Sequence, residues 1–196
     1  DQAMEDAGPH AFVHADGKAF MTGKGINRSI ARFGQGDSLS FVLDMGQRTL
    51  TVSKNGAPPF HTFSGLEQRQ WWPAICLDYT DEKVEVLESG SAESTLRVRC
   101  AAESITFRGG RCDGNLRWNE AATVVEKISE KSGDYHIALA AQGYQTGVHS
   151  WTLKVLHFNG NMRLGILAGD AQLDKEMEHA GPHAFVHADG KAFMTG

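Results

Sequence analysis

Polar and apolar residues alternate along two neighbouring segments of the first half of the chain. Within Ser38–Asp44 (SLSFVLD) and Thr49–Ser53 (TLTVS), every second residue is apolar. Because successive side chains of a β-strand point to opposite faces, this period of two predicts two half-buried strands. Met45-Gly46-Gln47 between them predicts a hairpin loop, and Asn55-Gly56 predicts the turn that follows.

Other segments predict further short strands, because they are rich in apolar and β-branched residues. These candidates are Ala74–Leu77, Lys83–Leu87, Leu96–Cys100, Ser104–Phe107, Trp151–Leu156 and Arg163–Leu167. Tyr135–Ala141 predicts either a strand or a short helical turn. Ala121–Lys131 predicts one short helix, although its Thr123-Val124-Val125 favours a strand. Many short strands separated by turns predict an all-β sandwich or barrel.

A repeat of domain size runs through the chain. The segment Asp1–Gly23 recurs as Asp174–Gly196, at an offset of 173 residues, and only Gln2, Ala3 and Asp6 differ from their counterparts. This period is far longer than the ~20–50 residues of a solenoid repeat. It predicts a parent protein with tandem, nearly identical domains. A partial duplication within a single-domain gene is the alternative.

Several motifs of the chain resemble those of the SPRY domain family. Gly147–Val155 (GVHSWTLKV) is similar to the G-x-H-x-W-x-x-x-V strand of that family, and Arg163–Leu167 (RLGIL) to the V-G-V strand that follows it. Phe33–Leu39 (FGQGDSL) is similar to the F-x-x-G-D-x-(I/V) segment. Trp72–Ile75 (WPAI) resembles the Y-P-A-V strand.

The hairpin predicted for residues 38–53, with the turn after it, completes this resemblance, since Leu43-Asp44, Thr49–Val52 and Asn55-Gly56 are similar to the family's L-D…T-L-x-F…N-G pattern. Together the motifs span nearly the whole chain. The resemblance implies an all-β fold, an antiparallel β-sandwich of the SPRY (concanavalin-like jelly-roll) type. It also implies a module that binds proteins rather than an enzyme.

The order of the motifs departs from the family, in which the G-x-H-x-W strand comes before the F-x-x-G-D segment. Residues 1–88 therefore resemble the C-terminal half of one unit, and residues 96–196 the N-terminal half of the next, with 174–196 repeating 1–23. Residues 89–95 are small and polar, as in a linker. Two arrangements follow: a permuted sandwich within one chain, which we favour, or self-association in which chains exchange halves.

Composition and charge exclude several classes of partner. The chain has 196 residues, 41% of them hydrophobic, and a formal net charge of -5 with its basic residues dispersed. Nucleic acids and anionic membrane surfaces attract concentrated positive charge, so we expect neither partner. No apolar run approaches the ~20 residues of a membrane span. Three cysteines without a CxxC pair are typical of reduced thiols in a cytoplasmic protein, and a Cys100–Cys112 disulfide is left open.

The histidines do not predict a metal site. His10 and His14 are four residues apart, a spacing that would place both on one face of a helix. Gly8-Pro9 and Asp16-Gly17 bracket them and disfavour a helix. On a strand, four residues span about 13 Å, too far for one zinc ion with bonds of ~2 Å. We therefore expect no metal.

The sequence also gives only weak support for a catalytic site. Ser150 follows His149 directly, and neighbours on a strand point to opposite faces. Asp78, Asp81 and Glu82 fit a solvated turn more simply than a glycosidase pair. The Gly109–Gly114 stretch has the glycine spacing of a phosphate loop, but lacks the Lys-Ser/Thr that would reach phosphate and magnesium. We therefore expect no enzymatic activity and no cofactor.

Four aromatic residues are the candidates for binding a protein or peptide ligand. Tyr144 precedes the G-x-H-x-W strand, in a stretch similar to the G-Y-x-x-G that lines the groove of peptide-binding SPRY domains. Tyr79 occupies approximately the place of another groove aromatic. Trp71 is predicted to be exposed, and Trp118 lies in a segment predicted to form the rim. A glycan-binding sandwich, with a sugar stacked on Trp71, and a structural repeat or scaffold unit are the alternative functions.

Overall fold

The computed structural model describes residues 10–21, 25–27, 30–87, 114–129, 136–168, 183–186 and 192–195. The regular secondary structure of these ranges consists of β-strands, and none of it is a helix that could cross a membrane. In chain order the strands are β1 (His10–His14), β2 (Lys18–Met21), β3 (Gly25–Asn27), β4 (Ser38–Asp44), β5 (Thr49–Lys54), β6 (His61–Ser64), β7 (Trp71–Leu77), β8 (Lys83–Leu87), β9 (Leu116–Trp118), β10 (Val124–Lys127), β11 (His136–Leu139), β12 (Val148–His157), β13 (Arg163–Ala168), β14 (His183–Val186) and β15 (Ala192–Thr195).

Two antiparallel sheets pack face to face. The first sheet has the order β11-β7-β13-β1-β2-β3, and the second sheet has the order β6-β5-β4-β12-β8-β10-β9. Among the described strands, β14 and β15 pair with each other and with no other strand. The main hydrophobic core contains inward residues of both sheets, such as Ile75 and Leu164 from the first and Leu39 and Leu153 from the second. The predicted all-β, antiparallel sandwich is confirmed.

The second sheet is apolar on one face only. Along β4 and β12, buried and half-buried residues alternate. On the inner face, Trp151 lies opposite Phe41 and stacks on it, with 5.2 Å between the ring centroids. One position further along, on the outer face, the hydroxyls of Ser40 and Thr152 are 2.9 Å apart and form a hydrogen bond. The alternation in the sequence therefore matches the two faces of this sheet.

The first sheet is buried on both faces. Ala11 and Val13 point into the main core, whereas Phe12 belongs to a second apolar cluster together with Ala74, Cys76, Ile137 and Leu139. All five residues of β1 are buried. Strands covered on both sides lose the period-two alternation, which explains the unbroken apolar runs Ala11–Val13 in β1 and Trp71–Leu77 in β7.

Strands from the two predicted halves interleave within one chain. From the second half, β13 lies between β1 and β7, and β12 lies between β4 and β8. These neighbours all belong to the first half, so each half supplies the pairing partners of the other. Self-association through exchanged halves stays a prediction.

The local predictions have mixed outcomes. Lys83–Leu87 is a strand as predicted, and Tyr135–Ala141 contains the strand β11. The predicted helix over Ala121–Lys131 is wrong, because Val124 and Val125 pair with β8 and continue the second sheet as β10. The strand propensity of these β-branched residues outweighs the helix propensity of their neighbours in the sequence.

Two turns lie where the sequence predicts them. The loop between β4 and β5 occupies residues 45–48, one residue more than predicted. Asn55 and Gly56 have φ angles of 52° and 72°, the left-handed pair that a tight turn between strands requires. The predicted strands Leu96–Cys100 and Ser104–Phe107, the linker 89–95 and the cysteines Cys100 and Cys112 lie outside the described residues.

Candidate binding surface

The four aromatic candidates lie in three separate places. Trp71 opens β7, and Tyr79 comes two residues after its end. Strand β7 alone spans about 20 Å, so these two residues lie at opposite ends of the sandwich. Tyr144 pairs with Trp71 through an isolated β-bridge. Trp118 is on β9, and β12 is the strand that follows the loop containing Tyr144. Strands β8 and β10 lie between β9 and β12, so these two strands are about 14 Å apart across the sheet. A single groove that contains both tyrosines is therefore not formed.

Trp71 is buried, which contradicts its predicted exposure. Its side chain is 1% exposed and packs in the main core, and its indole Nε1 donates a hydrogen bond to the carbonyl oxygen of Glu67 at 3.0 Å. The neighbouring Trp72 points to the other face, where it is half-buried against the second apolar cluster. An assignment shifted by one position on a strand exchanges the two faces, which is the source of the error.

Tyr144 is buried and packs beneath the exposed residues of its own loop, 141–147. It is 6% exposed, and its ring stacks on that of His149 with 3.8 Å between the centroids. Its backbone N–H and carbonyl both bond to those of Trp71, at 2.8 and 2.9 Å. The imidazole Nε2 of His149 lies 2.7 Å from the carbonyl oxygen of Thr146. The stack and these bonds hold the loop 141–147, whose residues Gln145 and Thr146 are exposed.

Trp118 and Tyr79 are half-buried. Trp118 lies opposite Val125 and packs against the main core from the outermost strand of the second sheet. The backbone N–H of Tyr79 donates to the carboxylate of Glu82 at 3.2 Å. Its ring faces Gly160, where an added Cβ would come within 3.9 Å of the Cε2 atom. Each therefore serves in part to hold neighbouring segments together.

Three loops from distant parts of the chain meet at the end of the sandwich where Tyr144 lies, and we call this surface the Tyr144 end. They are residues 45–48, 65–70 and 141–147. The N–H of Met45 donates to the Gly147 carbonyl at 3.0 Å, which links the first loop to the third. The N–H groups of Gly65 and Leu66 both donate to the Arg48 carbonyl at 3.0 Å, which links the second loop to the first.

Side-chain amides complete the connection between the second and third loops. The Nε2 of Gln70 donates to the Gly143 carbonyl at 3.1 Å, and the Nε2 of Gln68 donates to the Gln145 carbonyl at 3.4 Å. The exposed residues of the three loops are mostly polar; they are Gly46, Gln47, Arg48, Gly65, Glu67, Gln68, Ala141, Gln142, Gln145, Thr146 and Gly147. The Tyr144 end is thus one continuous polar surface on a cross-linked backbone.

The opposite end of the sandwich holds a buried polar network instead. Asn161 donates from its Nδ2 to Asp78 at 2.5 Å, and its Oδ1 contacts the Nε2 of His14. The carboxylate of Glu82 accepts hydrogen bonds from the backbone N–H groups of Asp78, at 2.9 Å, and Asn161, at 3.4 Å. Lys127 donates its Nζ to the Asp78 carbonyl. These five residues are at most 1% exposed.

The network corrects the sequence-based interpretation of this turn. Asp78 and Glu82 were expected to be solvated, yet both are 0% exposed, whereas Asp81 is exposed as expected. Lys127 is two residues from the buried Val125 and so lies on the same, inward face of β10. A lysine on an apolar face was the signal in the sequence that a buried polar partner was required.

Burial shifts the pKa of two groups in this network, Glu82 and His14. Burial raises the pKa of Glu82, and hydrogen bonds from backbone N–H groups offset only part of that effect. Burial lowers the pKa of His14, the positive charge of Arg163 lowers it further, and Asp16, 2.6 Å from the imidazole Nδ1, opposes both. Within the described ranges, no cluster of three or more His, Cys, Asp or Glu side chains is arranged to hold a metal ion. The network joins the loops that connect the two sheets.

The comparisons with known proteins identify no relative. A scan of the chain against models of protein families gives no match. A search of curated proteins finds no similar sequence. The resemblance to SPRY domains therefore depends on the sequence motifs alone.

Proposed function

We propose that the chain is a non-catalytic module, of SPRY type, that binds a protein or peptide at the Tyr144 end. The observation that supports this proposal is the cross-linking of three sequence-distant loops into one exposed polar surface. A backbone that is already ordered loses little conformational entropy on binding, so exposed side chains on it make efficient contacts. Loops held by a rigid sandwich are also the usual location of binding residues.

The two ends of the sandwich differ in how they use their polar groups. At the opposite end, Asn161, Asp78 and Glu82 bond to one another away from solvent. At the Tyr144 end, the side chains of Gln145 and Thr146 are exposed, and the loop bonds there use mainly backbone groups. Exposed side chains such as these are available to bind a partner, which favours the Tyr144 end as the recognition surface.

The aromatic residues take a supporting role in this proposal. Tyr144 and Trp71 are too buried to anchor a ligand directly, and instead they hold the loop 141–147 in place. An extended peptide would bond to exposed amides and hydroxyls, with Arg48 and Glu67 supplying charge at the rim. Such a polar surface is typical of loop-based recognition with moderate affinity.

The test is selection from a displayed peptide library with the chain and two variants. Gln145→Ala/Thr146→Ala removes exposed polar groups at the Tyr144 end, and Pro58→Ala/Pro59→Ala changes an exposed loop at the opposite end. We expect enriched peptides that lose about tenfold or more in affinity with the first variant, since each lost hydrogen bond contributes roughly 1 kcal/mol. Equal binding by both variants, or no enrichment with a folded chain, would contradict the proposal.

The alternative functions differ in their support. The glycan-binding hypothesis depended on an exposed Trp71, and the burial of that residue removes its support. A structural repeat unit keeps the support of the 173-residue repeat. A cytoplasmic location is part of the proposal, and the free thiol of the buried Cys76 is compatible with it.

A further inference from the structure

The chain contains the same hairpin twice. Residues 7–23 and 180–196 are identical in sequence. Both form an antiparallel hairpin, β1–β2 in the first copy and β14–β15 in the second. The registers are also equivalent: Ala11↔Met21, Phe12↔Phe20 and Val13↔Ala19 correspond to Ala184↔Met194, Phe185↔Phe193 and Val186↔Ala192. The two hairpins are therefore equivalent in sequence and in register.

Among the described residues, one copy of the hairpin lies in the sandwich, at the edge of β13. Strand β1 lies against β13, where Phe12 is opposite Gly165. A Cβ added to Gly165 would lie 2.1 Å from the carbonyl oxygen of Ala11, so the glycine allows a close approach that this hairpin requires. Ala184 and Phe185 are the same residue types at the equivalent positions of β14.

The contacts of the first hairpin depend on residues that the second also has. Arg163 lies over the ring of Phe20, with 5.7 Å from its Cζ to the centroid, and the N–H of Ala15 donates to the Met162 carbonyl at 3.2 Å. The Oδ1 of Asn161 contacts the Nε2 of His14. The second copy has His187, Ala188 and Phe193 at the corresponding positions, so it carries the same residue types for each of these contacts with β13 and the loop before it.

The connection between β13 and β14 allows the second hairpin to reach that position. Strand β13 ends at Ala168, and β14 begins at His183, the counterpart of His10, which pairs with Leu167. An antiparallel β14 would start beside the end of β13, about 5 Å away. Residues 169–182 are long enough to make this connection at one end of the sheet.

We propose that β14–β15 replaces β1–β2 beside β13 in part of the molecules and releases the N-terminal hairpin. The chain therefore has two forms of the same sandwich. Pairing of β3 with β2 favours the first form, because β3 follows the first hairpin. The connection to β13 through residues 169–182 favours the second form, because a covalent tether gives a high effective concentration.

The first test compares thermal unfolding of four full-length variants. Phe12→Ala and Phe185→Ala each weaken one hairpin, the double variant weakens both, and Phe63→Ala changes a buried core residue without a counterpart in the repeat. We expect each single hairpin variant to change the Tm little, and the double variant to lower it by far more than the sum of the single changes. Phe63→Ala shows the full shift of an uncompensated core deletion.

The outcome that would overturn the proposal is a loss of Tm in Phe12→Ala equal to that of the double variant. In that case β14–β15 does not replace the first hairpin, whatever the size of the loss. This comparison remains informative even when the double variant fails to fold, because the single variant is then compared with an unfolded protein.

The second test detects the two forms directly by disulfide formation. In a Cys100→Ser/Cys112→Ser background, His10→Cys/Leu167→Cys reports the first form and His183→Cys/Leu167→Cys the second. Directly opposed residues of antiparallel strands have the spacing that a disulfide needs. Burial raises the pKa of the Cys76 thiol to about 12, so Cys76 is left in place.

We expect both pairs to form intramolecular bridges in the monomer under mild oxidation, and Phe12→Ala to increase the yield of the second. His183→Cys/Ser64→Cys is the control for chance encounters, since Ser64 is exposed on β6 at the edge of the second sheet. A bridge between positions 183 and 167 that forms no faster than this control, or only between different molecules, would overturn the proposal.

Discussion

The outer face of the second sheet is polar and partly solvated, whereas the outer face of the first sheet is apolar and buried. Equivalent outward positions are Ser40 and Thr152 in the second sheet, and Ala74 and Cys76 in the first. The first pair is half-buried and hydrogen-bonded, and the second is 0% exposed. A substitution that faces outward should therefore be mild in one sheet and severe in the other. The outward direction of a side chain therefore does not by itself predict whether a substitution is tolerated, because that depends on whether the outer face is buried.

The largest expected effect comes from a carboxylate on the outer face of each sheet. Ala74→Asp places a charge where no solvent reaches, which should lower the free energy of unfolding by about 4 kcal/mol or more. Ser40→Asp, on the half-buried outer face of the second sheet, should cost about 1 kcal/mol. Urea unfolding measures both, and equal losses would show that the two outer faces do not differ.

Close packing between β13 and β1 gives the next effect. Gly165→Ala forces a Cβ against the Ala11 carbonyl and should cost about 3 kcal/mol, because backbone must move. Gly114→Ala is the matched control: its Cβ would meet nothing within 4 Å, so we expect a change of about 0.5 kcal/mol or less. A Gly165→Ala protein as stable as the control would contradict the close approach of the two strands.

Two asparagines near the β12–β13 connection allow a buried hydrogen bond to be compared with an exposed one. Asn161→Ala removes the buried link between His14 and Asp78, and should cost about 2 to 3 kcal/mol because buried groups lose a partner. Asn159→Ala removes an exposed hydrogen bond to the Thr80 carbonyl and should cost about 0.5 kcal/mol. Chemical unfolding of the two variants compares them directly; a reversed order would mean that the network does not stabilise the fold.

The smallest expected effect is on pH dependence. Because the pKa of His14 is lower in the folded state, the unfolded chain binds more protons, and stability falls as the pH drops below 6.5 and through the folded pKa. The raised pKa of Glu82 acts in the opposite direction, and its contribution is lost as the pH rises from 4.5 through the folded pKa. His14→Gln should flatten the fall below pH 6.5, as measured by urea unfolding at several pH values. An unchanged pH profile would show that another group is responsible.

The strands whose two faces could be predicted are those with one solvated face. In β4 and β5 the alternation of residues reports the two environments directly, so both the strands and their inward residues could be predicted. In β7 the sequence WWPAICL is apolar throughout, and nothing in it distinguishes the core face from the outer face. The misassignment of Trp71 and Trp72 follows from that lack of contrast.

The candidate site was predicted only in part for a similar reason. Tyr144 belongs to the loop that we propose as part of the binding surface, but it supports that loop rather than being exposed. The predicted groove joined Tyr144 to Tyr79, and these residues lie at opposite ends of the sandwich. Gln68 and Gln145, which meet at the Tyr144 end, carry no motif, because their proximity depends on pairing between distant strands.

The sequence alone was enough to predict the all-β class, the strands β4, β5, β8, β12 and β13, the tight turn at Asn55-Gly56 and the duplication of residues 7–23. Each of these depends on residues close together in the chain, where side-chain alternation, turn geometry and identity are directly visible. The folded chain was needed to show that the first sheet is buried on both faces, that Asp78 and Glu82 join a buried network, and that β1 lies beside β13. These features depend on which distant segments become neighbours, and burial and hydrogen bonding are properties of those neighbours.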